Sequence, residues 1–137
     1  MLKFQPKSVP GFNFLKDGEV SDNKKEGWIN FDGLQFETGS AELKASSMPV
    51  LNNIVAMLKA NPGVSIKLGG YTDNTGDANS NLALSDERAK SVMAAIVNNG
   101  IEAGRLEAEG YGDAHPVGDN NTKLGRAMNR RIAVRVT

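Results

Sequence analysis

Two charged residues, and the stretch that joins them, are the part of this sequence best suited to chemistry. Residues 69–88 read GGYTDNTGDANSNLALSDER. Asp73 ends an alternating apolar run, and Arg88 follows in a segment with helical spacing. A carboxylate and a guanidinium brought to one groove suit a small zwitterion, an amino-acid head group with its ammonium and carboxylate on one carbon. Arginine can hold a carboxylate through two parallel hydrogen bonds. Each charge-assisted bond contributes roughly 1.5–3 kcal/mol. Asn81, Ser85 and Arg88 are spaced by four and then three residues. On a helix that begins early they share one face, beside the apolar stripe. Spacing leaves a plainer reading open as well: Asp73 caps a polar turn and Arg88 is a solvated helix residue, as partly exposed charges usually are.

Other constellations are weaker. Asp73, Thr75, Asp77 and Asn79 alternate as in a calcium loop. The glycine needed at the sixth position is missing (the nearest is Gly76), and so is the twelfth-position Glu. A polar turn is the better reading, and no metal is expected. His115 is the only histidine and has no nucleophile beside it in sequence. Gly110 and Gly112 are too sparse for a dinucleotide loop, so no cofactor is expected. Arg126, Arg130 and Arg131 form a small basic cluster that suits a helix end. Alternation along a strand would send Arg130 and Arg131 to opposite faces, so at most one is expected in a groove.

The totals bound the function class. The chain has 137 residues, enough for one domain with its own core. Lys plus Arg and Asp plus Glu both number 16, so the net charge is zero. A general nucleic-acid binder needs a basic surplus, so nucleic acid is not an expected partner. Without cysteine there is no disulfide or thiolate chemistry, and either redox compartment is possible. No apolar run approaches the roughly 18 residues of a membrane span. The start, MLKFQPKSVPGFNF, has no continuous apolar stretch of the signal-peptide kind. An exported protein would then be represented here by a mature form or an excised piece.

The elements that must position Asp73 and Arg88 follow from periodicity. Residues 1–27 are polar, with little to bury in 17–27, and are expected to be a linker or flexible arm. Residues 28–36 alternate and predict a first strand, with Gly33 marking a bulge or turn. Residues 47–60 predict a helix, capped by Ser46 or Ser47, with Pro49 in its first turn. Residues 64–72 predict a second strand. A second helix lies within 79–99, with Leu82, Ala89, Val92, Met93 and Ile96 as its buried stripe. Ser85 could cap a later start, but the apolar spacing through Leu82 favours the earlier one. Residues 105–112 predict a third strand, Thr122 a cap for a short helix over 123–129, and residues 132–136 a last strand. Four half-buried strands interleaved with helices predict an α+β, two-layer β-α-β-α-β-α-β domain over residues 28–137. The helices should lie on one face of a mixed four-stranded sheet.

GYTDNTG at 70–76, N-x-x-L-S-x-x-R-A over 81–89, EGYG at 109–112 and GRAMNRRI at 125–132 together resemble the OmpA-like C-terminal domain. That family includes outer membrane protein A, the peptidoglycan-associated lipoprotein and the flagellar stator protein MotB. The likeness covers residues 28–137; four motifs in order at fitting spacings make it specific. It implies a non-enzymatic module that binds cell-wall peptidoglycan without covalent attachment. The aspartate of the TD motif and the arginine of L-S-x-x-R-A, here Asp73 and Arg88, would grip the diaminopimelate of the stem peptide. Arg130, the first arginine of N-R-R, is implied as a further contact. Thr75, Asn81 and Ser85 complete the expected ligand-binding set, with Gly39. Some members have Asn or Asp where this chain has Gly39, so only a backbone amide could serve there. Many members have His where this chain has Tyr71, which is expected to pack or to line the rim. The resemblance implies a periplasmic location at the outer membrane and cell wall, through a segment outside this chain, and a possible homodimer. A wall hydrolase and a ligand-free scaffold are the competing readings.

Overall fold

In a computed structural model, residues 28–31, 33–37 and 39–137 are described. The expected linker over 1–27 lies outside them, as do Asp32 and Thr38. Among the described residues, the strands and α-helices follow in the order β1 (Trp28–Phe31), α1 (Met48–Ala60), β2 (Ile66–Tyr71), α2 (Ala78–Asn98), β3 (Leu106–Gly112), α3 (Lys123–Asn129) and β4 (Arg131–Val136). The strands form one mixed sheet in the order β1-β4-β2-β3. β4 is antiparallel to β1 and to β2, and β2 is parallel to β3.

Alternation along the strands builds the core. Ile66 and Leu68 of β2, with Ile132 and Val134 of β4, meet Leu51, Ile54, Met57 and Leu58 of α1 and Val92 and Ile96 of α2. The opposite face is not left bare, as clean alternation had suggested. Trp28, Tyr71 and Ala133 are buried there and Tyr111 packs on them, so β4 is buried on both faces from Arg131 to Val134. Tyr71 stacks on Tyr111, with centroids 5.2 Å apart, and the Arg131 guanidinium lies 3.9 Å from the Tyr71 ring centroid.

Several local expectations need correction. The first strand ends at Phe31, not Phe36. At Gly33 the chain turns hard against α1, where a Cβ would sit 2.3 Å from Val50 Cγ2. Phe36 then bridges Leu43 across a hairpin-like loop. Ser47 does not cap α1. Its hydroxyl instead accepts from Gln35 N at 2.7 Å and donates to Gln35 O at 2.9 Å, tying the base of that loop to the helix start. α2 begins early, as the apolar spacing favoured, with the Asp77 carboxylate accepting from Ser80 N at 2.8 Å. Leu82, however, is 48% exposed. It sits over Gly112, where the sheet offers no side chain to pack on.

Glycine governs how α2 meets the sheet. A Cβ on Gly70 would lie 2.1 Å from Ser85 O, and one on Gly110 would lie 2.2 Å from Asp86 N. Helix backbone therefore rests directly on sheet backbone. Side chains of α2 then reach amides of β3, the edge strand: Gly110 N donates to Asp86 Oδ1 at 3.1 Å and Gly112 N to Ser85 Oγ at 2.9 Å. Those donors would otherwise be unpaired sheet-edge groups. Gly110→Ala must push helix backbone outward, and rigid neighbours make overpacking costly. Its unfolding free energy in denaturant is expected to fall by about 1–3 kcal/mol. An unchanged midpoint would refute the backbone-contact account.

Candidate functional site

A cleft of about 540 Å³ opens at the carboxyl end of β2 and the amino end of β4. It is lined by Leu34, Gln35, Phe36, Gly39 and Lys44 of the hairpin-like loop, Tyr71 of β2, Arg88 of α2, Ala127 of α3, and Arg130 and Arg131. Four of these ten are cationic and none is acidic. The electrostatics therefore favour an anion.

Arg88 enters this wall because α2 starts at Ala78 and passes over the end of β2. It is half-buried. Its Nε donates to Ser40 O at 2.8 Å, and its guanidinium carbon lies 5.0 Å from the centroid of the Phe36 ring. The neutral carbonyl and ring face fix its direction without neutralising it. Among the described residues no carboxylate pairs with it, and neither terminal nitrogen finds a hydrogen-bond partner. Burial, and second the like charge of Arg130, lower its pKa. An arriving carboxylate would relieve both costs.

Asp73 is only 7% exposed and is not among the lining residues. Its Oδ2 is paired with Arg130 Nη1, and its Oδ1 accepts from Thr75 N at 2.8 Å. Burial alone would raise its pKa, but the Thr75 and Arg130 hydrogen bonds outweigh burial and hold it below the ordinary aspartate value. The expected two poles are thus three. Asp73 engages Arg130, and Arg130 stands in the cleft with Arg88.

The remaining expected residues separate by role. Gly39 lines the cleft with φ +66°, a left-handed conformation that disfavours any side chain. Thr75 and Asn81 brace the loop after β2: Asn81 Nδ2 donates to Thr75 O at 2.8 Å. Ser85 is 0% exposed, and its hydroxyl is used within the protein, donating to Leu82 O and accepting from Gly112 N. It is withdrawn from the cleft because the glycine contact draws its turn of α2 onto the sheet. Alternation had allowed at most one of Arg130 and Arg131 in the groove, yet both line it. Arg130 closes α3 before β4 begins, so strand alternation does not apply to it.

Asn129 is the residue that sequence reasoning passed over. Fully buried, it accepts from Val117 N and Gly118 N at 2.7 Å and donates to Gly118 O and Asn120 Oδ1. Every polar atom of its amide is used, so the turn that delivers Arg130 and Arg131 is rigidly placed. Arg131 in turn donates to Asn30 Oδ1 and to His115 O, both at 2.9 Å. Asn129 sits between two parts of the GRAMNRRI run, and its place in that motif was the available signal.

A model of the OmpA family matches residues 35–130. The chain is 36% identical over 103 residues to the probable lipoprotein YiaD of Escherichia coli, covering 75% of this chain and 47% of that protein. It is 36% identical over 101 residues to the peptidoglycan-binding protein ArfA of Mycobacterium tuberculosis, covering 74% of this chain and 31% of that protein. It therefore spans less than half the length of either relative. Among solved structures, the cell wall anchor of the T6SS from Pseudomonas aeruginosa superposes with a TM-score of 0.69 at 33% identity, covering 80% of this chain and 78% of that one.

The lowered Asp73 pKa has a stability consequence. A carboxyl depressed in the folded state contributes stability above its unfolded value, about 3.9, and that contribution is lost as pH falls through the native value. Asp73→Asn is expected to destabilise the domain by about 1–2 kcal/mol near pH 7, with the gap to wild type closing below about pH 4. Urea unfolding at several pH values measures it; a gap independent of pH would show that the charge of Asp73 plays no part.

Proposed function

Because the chain belongs to the OmpA family, we propose that it binds cell-wall peptidoglycan without covalent attachment and tethers an envelope protein to the wall. One observation carries the reading: an arginine held half-buried in a cationic cleft, with both terminal nitrogens unused among the described residues. Such a group is positioned to receive a carboxylate. Two similar proteins, the peptidoglycan-binding protein ArfA and the cell wall anchor of the T6SS, point to the same class of ligand.

The ligand part that fits is the free end of diaminopimelate in the stem peptide. It carries an ammonium and a carboxylate on one carbon. The carboxylate lies between Arg88 and Arg130, with the Gly39 amide as a further donor. The ammonium approaches Asp73, which then shares its charge between Arg130 and the ligand. Thr75 and Asn81 act by holding the Asp73 loop, not by contact. The domain works in the periplasm, at the outer membrane and cell wall; a homodimer would present two such clefts.

Binding is favoured over hydrolysis by the lining itself. A hydrolase needs an acid and a base, or a metal, beside the scissile bond. Among the described residues the lining includes no carboxylate and no histidine, and Asp73 behind it is already engaged by Arg130 and the Thr75 amide. Arg88→Ala is expected to weaken co-sedimentation with purified peptidoglycan by about ten- to a hundredfold, from the loss of charge-assisted bonds of roughly 1.5–3 kcal/mol. Arg88→Lys should recover only part of it, since an ammonium has neither the fork nor the flat face that lies on Phe36. Free diaminopimelate should compete. Normal binding by both Arg88→Ala and Asp73→Ala, with the fold intact, would remove this site from consideration. Release of soluble fragments from labelled wall would establish the hydrolase instead.

A further inference from the structure

The charges around the cleft do not balance for a ligand with one carboxylate. Arg130 has Asp73. Arg131 spends its donors on Asn30, Asn129 and His115 and lies on Tyr71. Among the described residues Arg88 has one hydrogen-bond partner, the Ser40 carbonyl, and the Phe36 ring beside it. Lys44 is a fourth cation of the lining, half-buried. Among the described residues its ammonium has neither an ion pair nor a hydrogen bond. Two acidic residues share its loop, Glu37 and Glu42, and neither pairs with it. Lys44 is also held in place: its backbone amide donates to Gln35 O at 2.9 Å, and Ser47 pins Gln35 from the other side. A lysine on a braced loop, facing a cleft and free of both neighbouring carboxylates, is set up for an anion that comes from outside.

Resting on the peptidoglycan reading, we propose that Lys44 is a specificity residue that takes a second ligand carboxylate, so that the cleft prefers stem peptides ending at the diamino acid. In such a peptide the diamino acid carries two free carboxylates, one at its side-chain end and one at the chain terminus. Where the chain continues, or the terminus is amidated, the second charge is lost at that position. Arg88 and Arg130 hold the first carboxylate, and Lys44 reads the second.

The test uses two tripeptide stems that end in diaminopimelate, one with a free terminal carboxylate and one with a terminal amide, titrated calorimetrically against the full chain. Wild type is expected to bind the acid about fivefold more tightly than the amide, the scale of one partly exposed ion pair. Lys44→Met should bring that ratio close to one, and Lys44→Arg should restore it. The acid preference should shrink with added salt. If Lys44→Met keeps the full preference, or if wild type binds acid and amide equally, the role given to Lys44 is overturned while the peptidoglycan reading stands. If wild type binds neither peptide, both fall together.

Discussion

Backbone-to-backbone contact between α2 and the sheet is the constraint on which the cleft depends. Gly70 and Gly110 carry no side chains, so the Ser85–Asp86 turn of α2 lies directly on β2 and β3. That contact uses Ser85 and Asp86 as hydrogen-bond acceptors for the β3 edge. Arg88, less than one turn farther on, is thereby held beside the end of β2. A larger residue at either glycine would lift the helix and carry Arg88 away from Phe36 and the Ser40 carbonyl.

The second determinant is how charge is distributed over rigid supports. Neutral groups orient two arginines of the cleft: Phe36 and a carbonyl for Arg88, and Tyr71 with two carbonyls and an amide oxygen for Arg131. Arg130 is paired with the Asp73 carboxylate, and Asp73 is itself steadied by the Thr75 amide. The buried Asn129 amide fixes the turn from which Arg130 and Arg131 emerge. Neutral partners restrict rotation while leaving electrostatic potential in the cleft, where a low local dielectric strengthens it. An anion thus meets donors that have already lost their rotational freedom.

Local pattern reported much of this in advance. The early start of α2 was visible in its apolar spacing, the Thr122 cap in its position before a short helix, and the strand positions in their alternation. Pattern failed where a neighbour distant in sequence overrode it. Leu82 has the period of a core residue but meets Gly112 at the end of the sheet. Ser47 looks like a helix cap, yet the Gln35 backbone claims its hydroxyl. Ser85 shares a helical face with Arg88 but faces the edge of β3.

What the sequence by itself determined is the set of elements, their order, and the family to which four short motifs belong, because propensity, capping and periodicity act between residues close along the chain. Which charges meet was decided only by tertiary structure. Asp73 and Arg130 are 57 residues apart and Arg88 and Ser40 are 48 apart; no local rule couples such pairs. Their meeting depends on how closely a helix can approach a sheet and on where an antiparallel strand begins, which are properties of the packed whole.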